Sequence, residues 1–213
     1  MRTLAIETAT EACSIALFEG DRLIARDHRV LGRGHAEMLV PMIAALPGKG
    51  LADRILVSRG PGSFTGVRIG IATARALGFA WGAQVLGYPT LALVAAIARA
   101  DAGMPGDALS ITACMNGGHG QWFVQDFGPD GLPDAPASSL TPEAAAARGC
   151  HTLVAGNRAH ELVAVQSAAA RQAFETLPDA ARVDLLPAAC LTGDLAAVYG
   201  RGPDATPQKV KRV

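Results

Sequence analysis

The sequence predicts an α/β protein built from two similar modules, each a mixed sheet with flanking helices. Strand-like and helix-like segments alternate along the chain, and elements in this order pack as sheets with helices on their faces. A stretch containing glycine and proline at residues 101–107 separates the two halves. The order of elements before this stretch partly recurs after it, which indicates an internal duplication.

The first module follows the order β-β-β-α-β-α-β-α. Alternating or continuous apolar residues indicate the strands, and apolar residues at helical spacing indicate the helices. The predicted strands are 3–7, 13–18, 23–30, 54–58 and 84–88. The predicted helices are 35–46, 63–81 and 90–100. We place this module at residues 1–102.

The second module is predicted at residues 108–200 and is followed by a basic tail at 201–213. Thr141 and Pro142 have the residue types of a helix cap and of a first helical position. The predicted strands are 109–115, 121–127, 152–155 and 183–186. Two further helices are predicted at 159–177 and 187–199.

Composition excludes several classes of protein. The 213 residues are 50% hydrophobic and 18% charged with zero formal net charge, whereas disorder requires low hydrophobicity and high net charge. A neutral chain has no general positive field to hold a phosphate backbone, so an autonomous nucleic-acid binder is disfavoured. The longest apolar region, 69–98, is interrupted by Arg75, glycines and Pro89, which argues against a membrane span. We therefore expect a cytoplasmic protein.

A glycine loop joins the strand at 54–58 to the helix that follows it. The loop residues are Gly60, Pro61, Gly62 and Ser63. Backbone N–H groups at a helix start attract anions, which leaves a nucleotide-binding interpretation open. The glycine spacing differs by one residue from the dinucleotide fingerprint and lacks the lysine of a P-loop. A tight turn is the alternative interpretation.

The helix after this loop carries a stripe of small residues at every fourth position. Its members are Gly66, Gly70, Ala74, Gly78 and Gly82. A glycine inside a helix costs ~1 kcal/mol relative to alanine, so close approach of another backbone is needed to offset the cost. We expect an apolar row (Ile69, Ala72, Ala76 and Phe79) to cover the sheet and the stripe to meet a partner protein. In the alternative interpretation, both faces of this helix are internal to the domain. The partner interpretation predicts that leucine at Gly70 or Ala74 abolishes a complex while the monomer stays folded.

No catalytic or metal site is predicted. The five histidines contain no pair at i, i+4, and the four cysteines are scattered. Glu7 is a single carboxylate and more typical of a structural role than of a Mg²⁺ site. Ser58 and Ser63 are interpreted as a strand end and a helix cap, and no serine, histidine and aspartate order supports a peptidase.

The chain resembles the TsaB (YeaZ) family of the bacterial tRNA threonylcarbamoyladenosine machinery. The segments AIETATEACSIAL (5–17) and SRGPGSFTGVRIGIATARALGFAWG (58–82) carry the resemblance, with the helix at 35–46 and the Tyr199-Gly-Arg-Gly-Pro ending. It is strong over about the first hundred residues. One departure lies at 113–119, where Ala-Cys-Met-Asn-Gly-Gly-His replaces the Asp-Ala-Arg motif common in the family.

The resemblance implies two RNase H-like modules of the actin, Hsp70 and sugar kinase superfamily. It also implies a non-catalytic scaffold that binds a TsaD-type transferase in a complex with a TsaE-type ATPase, forms a homodimer in isolation, and meets tRNA only through the complex. No cofactor is implied for the chain itself, and ATP enters only within the complex. A small ATP-binding or phosphotransfer enzyme of the same superfamily is the alternative. The expected partner interface comprises His35, Leu39, Met42, Gly66, Arg68, Gly70, Ile71, Ala74 and Gly78.

Overall fold

Two five-stranded mixed sheets with the same topology form the fold. The computed structural model describes residues 1–102, 109–166 and 171–200. In the first sheet the strands are β1 (Arg2–Glu7), β2 (Ala12–Glu19), β3 (Arg22–Val30), β4 (Arg54–Ser58) and β5 (Gln84–Tyr88). In the second they are β6 (Ile111–Gly118), β7 (Gln121–Phe127), β8 (Ser138–Leu140), β9 (Leu153–Ala155) and β10 (Gln172–Phe174).

The strand order is β3-β2-β1-β4-β5 in the first sheet and β10-β9-β6-β7-β8 in the second. In each sheet the first three strands of the module are antiparallel, and the last two run parallel to the module's first strand. The second sheet therefore repeats the topology of the first. The predicted duplication and the predicted mixed sheets are confirmed.

Five α-helices are described beside these sheets. They are α1 (His35–Ala45), α2 (Phe64–Trp81), α3 (Thr90–Asp101), α4 (Pro142–Arg148) and α5 (Ala159–Val165). Every residue of α3 from Thr90 to Ala98 is buried, because this helix packs in the core cluster that joins both modules. A helix that is apolar on all sides is typical of such a position. Helices α1 and α2 cover the other face of the first sheet, and α4 and α5 pack on the second.

In the second module, two predicted elements are corrected. Helix α5 ends at Val165 instead of 177, and Gln172–Phe174 pairs in parallel with Leu153–Ala155 as a strand. The predicted strand at 183–186 falls on a turn of 3₁₀ helix at Ala180–Leu185, which the Asp179 carboxylate caps. Strand β8 is an element that the sequence pattern did not reveal. The proposed linker lies outside the described residues from 103 onward, as does the whole tail at 201–213.

The predicted helix at 187–199 is also wrong, because only Ala188–Cys190 forms a helical turn there. The chain then returns to the first module as an arm, residues 191–199. Thr192 exchanges two backbone hydrogen bonds with Gly87, at 2.8 and 3.0 Å. The Arg59 side chain donates to the Asp194 carbonyl and carboxylate, at 2.9 and 3.1 Å. These tertiary bonds replace the intrahelical bonds that a helix would have made.

Candidate functional site

Helices α1 and α2 lie side by side on the outer face of the first sheet. Their inward side chains pack with those of β1, β2 and β4 in one buried cluster. The outward surface of this helix pair is the place where the predicted partner interface has to be sought.

The predicted interface residues themselves are, with one exception, part of the chain's own core. His35, Leu39, Met42, Gly66, Gly70, Ile71, Ala74 and Gly78 are all buried. His35 begins α1 and places its Nε2 3.2 Å from the Ala12 carbonyl, which ties the helix to β2. Arg68 is the exposed exception. These eight residues therefore offer little surface of their own to a partner, and their place in an interface stays a prediction.

The glycine stripe faces its own module along α2, and only Gly82, the C-cap of the helix, is exposed. A Cβ on Gly66 would stand 2.1 Å from the Thr8 carbonyl oxygen, and one on Gly70 would stand 2.4 Å from the Thr8 hydroxyl. The Thr8 hydroxyl donates to the Gly66 carbonyl at 2.8 Å, so the residue that follows β1 is hydrogen-bonded to α2. At Gly78, the absence of a side chain leaves room on the helix surface for the Val85 side chain of β5. Leucine at Gly70 or Ala74 would thus disrupt the monomer, which corrects the sequence-based expectation.

Three of the four residues in the apolar row of α2, which is expected to cover the sheet, lie on the outside instead, and the fourth, Ile69, packs against the buried cluster. Phe79 is 93% exposed, and Ala72 and Ala76 are exposed on the same side of the helix. On α1, Val40 is 55% exposed and Pro41 and Ala44 are exposed. We call these six residues the outer helix face. Small side chains around a bulky aromatic one make a surface that another helix can approach closely.

The glycine loop is packed against its own chain. The Gly60 N–H donates to the Ser58 hydroxyl at 3.3 Å, and the Ser63 N–H donates to the Ala9 carbonyl at 2.7 Å. A Cβ on Gly62 would also stand 2.1 Å from that carbonyl oxygen. These contacts make the loop a tight connection, and the two N–H groups are engaged by the protein itself. Ser58 ends β4 and Ser63 caps α2, so both of these predictions are confirmed.

Glu7, at the carboxyl end of β1, is completely buried. One carboxylate oxygen accepts the Ala9 N–H at 2.7 Å, and no described residue donates to the other. The nearby Tyr88 hydroxyl donates to the Ile6 carbonyl, and Ser58 shares a 2.6 Å hydrogen bond with Thr90. Burial raises the pKa of Glu7 from its ordinary 4.5 to about 7, against smaller opposing hydrogen bonds. Its position fits a structural carboxylate.

This buried acid predicts a pH-dependent stability. Between the unfolded pKa of 4.5 and the folded value of about 7 the folded state binds more protons, so stability falls as pH rises. The expected loss is ~3 kcal/mol, since each pKa unit is worth ~1.4 kcal/mol. Glu7→Gln, which mimics the protonated acid, should remove this loss. Urea unfolding from about pH 5 to about pH 8 measures it.

The matched control for this prediction is Glu37→Gln, because Glu37 is an exposed carboxylate on α1. Its stability should fall with pH in parallel with that of the wild type. If Glu7→Gln also follows the wild-type curve, the burial cost assigned to Glu7 is contradicted.

The cysteines do not form a reactive centre. Burial raises the pKa of the Cys114 thiol to about 12 and that of Cys13 to about 11, so neither is a thiolate at neutral pH. In the described ranges, no group of three or more His, Cys, Asp or Glu residues is arranged to hold a metal ion. No helix among those described is both long enough and apolar enough to cross a membrane.

A cleft of about 790 Å³ opens between the two modules. Its walls include Glu11 and Ser63 from the first module and Asn157 from the second, and Asn157 donates to Glu11 at 2.8 Å across the gap. Residues 116–119, where the sequence departs from the family motif, also line it. The sequence analysis does not predict this cleft. Its only indication is the departure from the family motif at 113–119, because part of that segment lines the cleft.

Arg68 lies at this cleft, beside two neighbouring aromatic rings. Its guanidinium carbon is 3.5 Å from the centroid of the Phe64 ring and 5.6 Å from that of Tyr199. The Arg68 Nε also donates to the Tyr199 hydroxyl at 3.0 Å. The structure thus brings the arm and the first turns of α2 together. The contact of Tyr199 with Arg68 is not predicted from the sequence, in which Tyr199 is noted only as part of the Tyr199-Gly-Arg-Gly-Pro segment that resembles the family.

Comparison with known proteins agrees with this architecture. A family model described as "TsaD: tRNA N6-adenosine threonylcarbamoyltransferase" matches residues 29–131. The tRNA threonylcarbamoyladenosine biosynthesis protein TsaB of Escherichia coli is 41% identical over 100 residues, which cover 45% of this chain and 43% of that protein. The protein of the same name from Haemophilus influenzae is 43% identical over 82 residues, covering 36% and 34% of the two chains.

The structural match extends much further than the sequence matches, which span less than half of those two relatives. The YeaZ structure from Pseudomonas aeruginosa has a TM-score of 0.72 and 29% identity, and the alignment covers 86% of this chain and 88% of that one. Both modules are therefore shared, which confirms the predicted fold class. The sequence matches and this structural match together support assignment of the chain to the TsaB/YeaZ family.

Proposed function

We propose that this protein is a non-catalytic subunit of a complex that forms threonylcarbamoyladenosine in tRNA, where it binds and supports a TsaD-type transferase. The observation that carries the proposal is the outer helix face, an exposed apolar surface on a chain whose relatives are named for this pathway. A subunit that acts by binding needs such a surface and does not need an active site.

The electrostatics of the first module favour a supporting role. In an enzyme of this superfamily, the end of β1 is where a reactive carboxylate would be expected to meet its ligand. Here Glu7 has no exposed surface, and burial favours its neutral form. The neighbouring glycine loop uses the Gly60 and Ser63 N–H groups for internal bonds. The ATP-binding or phosphotransfer alternative is not favoured.

The outer helix face supports a protein partner. Phe79 projects almost fully into solvent, which is a cost in a monomer and an anchor in a complex. The alanines beside it leave room for a partner helix to pack at short distance. The same face would serve a homodimer when the partner is absent. In the complex, a TsaE-type ATPase and tRNA would be further components, with ATP entering there and with the cytoplasm as the compartment.

Reconstitution tests the proposal. The purified chain is combined with TsaD-type and TsaE-type proteins from the same source, tRNA and the substrates of the transferase, and modified adenosine is quantified by mass spectrometry. We expect product only when this chain and the transferase are both present, and none from this chain alone. Equal product without this chain, or product from it alone, would contradict the proposal.

A further inference from the structure

The cleft between the modules contains the guanidinium of Arg68, whose position is fixed by neighbouring side chains and whose terminal N–H groups remain available as hydrogen-bond donors. Phe64 stacks on one face of the Arg68 guanidinium, and the Tyr199 hydroxyl accepts from its Nε. Across the described part of the chain, no group accepts a hydrogen bond from Nη1 or Nη2 of Arg68, and no carboxylate pairs with it. An arginine fixed by stacking has already lost much of its side-chain freedom, so less entropy is lost when a ligand binds.

The terminal edge of a guanidinium matches an oxyanion. Nη1 and Nη2 present N–H donors in a planar fork that fits the two oxygens of a carboxylate or of a phosphate. Glu11 is the one carboxylate among the described lining residues, and it accepts a hydrogen bond from Asn157 instead of pairing with Arg68. The positive charge of Arg68 is therefore not neutralised within the described cleft.

The rest of the cleft suits a planar group. Phe64 is 55% exposed and Tyr199 is 48% exposed, and their ring centroids lie 5.4 Å apart at the cleft wall. Exposed aromatic faces are favourable for stacking with a flat apolar body. The volume of about 790 Å³ lies within the range of small-molecule sites, ~300–1,000 Å³.

We propose that this cleft binds a small organic anion with a planar ring, whose carboxylate or phosphate is held by Nη1 and Nη2 of Arg68. This inference is independent of the proposed function, because the site lies between the modules and the outer helix face lies on the outward side of α1 and α2. The isolated chain therefore tests it without any partner.

Two probes distinguish the two oxyanions: phenyl phosphate and benzoate. Each is titrated into the ¹⁵N-labelled full chain, and amide and arginine Nε–H shifts are followed by NMR, with inorganic phosphate as the probe that lacks a ring. We expect saturable shifts for at least one aromatic probe, mapping to Arg68, Ser63 and residues 116–119. Inorganic phosphate should bind at least ~10-fold more weakly, because it lacks the stacking contribution.

Substitutions at Arg68 distinguish binding by the planar pair of N–H donors from binding by positive charge alone. Arg68→Gln should weaken binding ~10-fold or more, and Arg68→Lys should recover only part of it, since lysine keeps the charge but not the planar fork. Arg75→Gln is the control, because Arg75 is an exposed arginine on α2 that does not line the cleft. Unchanged affinity in Arg68→Gln, shifts that map elsewhere, or no saturable shift with either aromatic probe would overturn the proposal.

Discussion

Replacing Gly66 with alanine is expected to destabilise the protein by ~3–5 kcal/mol and to lower the Tm by ~10 °C or more. An alanine at an open helical position would instead stabilise the helix by ~1 kcal/mol. The reversal arises because the new Cβ would stand 2.1 Å from the Thr8 carbonyl oxygen, a backbone atom that cannot move without shifting β1. It would also displace the Thr8 hydroxyl from the Gly66 carbonyl. Urea unfolding and thermal scans measure both quantities.

Gly70 offers a matched comparison, because its nearest obstacle belongs to a side chain. A Cβ there would meet the Thr8 hydroxyl oxygen at 2.4 Å, and the Thr8 Cβ is 3.7 Å away. Thr8→Ala should therefore relieve much of the damage caused by Gly70→Ala, and it should not rescue Gly66→Ala. If Gly66→Ala is as stable as the wild type, or if Thr8→Ala rescues both variants equally, the packing of α2 on β1 described here is contradicted.

The first module could be predicted well because its signals are local. Strands such as Arg2–Glu7 and Arg54–Ser58 alternate or run apolar over several residues, and glycine or proline residues punctuate the helices between them. The short elements of the second module have no such signal. Gln172–Phe174 becomes a strand only because it pairs with the buried β9, a contact between segments distant in sequence.

The inward and outward faces of α2 are the reverse of the predicted ones, and the reason is again a contact between segments distant in sequence. Hydrophobicity alone places Phe79 inside and a row of glycines outside, and the structure has the opposite arrangement. The end of β1 comes so close to α2 that only glycine fits there, and helical periodicity carries no information about that distance. The glycine pattern did correctly indicate a close backbone approach, although the approaching backbone is the chain's own.

The cleft could not be predicted, because its walls come from segments scattered over the whole sequence. Arg68 and Tyr199 are 131 residues apart and meet only because the arm returns to the first module. That return was hidden by the helix predicted at 187–199. The Thr192 and Asp194 side chains instead accept hydrogen bonds from Asp194 and Ala196 N–H groups, which form turns in place of a helix.

Ala76→Glu is expected to abolish binding to a TsaD-type subunit while leaving the monomer folded. Ala76 is exposed on the outer helix face, so glutamate costs the isolated helix only a few tenths of a kcal/mol. In a close-packed apolar interface the same carboxylate would be buried without a partner, at a cost of ~3 kcal/mol or more. Affinity should fall ~100-fold or more, since each 1.4 kcal/mol corresponds to a factor of about ten.

Ala147→Glu is the matched control, because Ala147 is an exposed alanine on α4 of the second module. It introduces the same charge at a distance from the outer helix face. Thermal unfolding of both variants establishes that each remains folded. Phe79→Ser gives a second measure of the surface, because loss of a central aromatic contact typically weakens an interface by ~2–4 kcal/mol.

The most direct test of the central claim is the dissociation constant between this chain and its TsaD-type partner, measured by isothermal titration calorimetry for the wild type, Ala76→Glu and Ala147→Glu. The proposal predicts tight binding by the wild type and by Ala147→Glu, and no detectable binding by a folded Ala76→Glu. Wild-type affinity in Ala76→Glu, or no complex with the wild type, would contradict it.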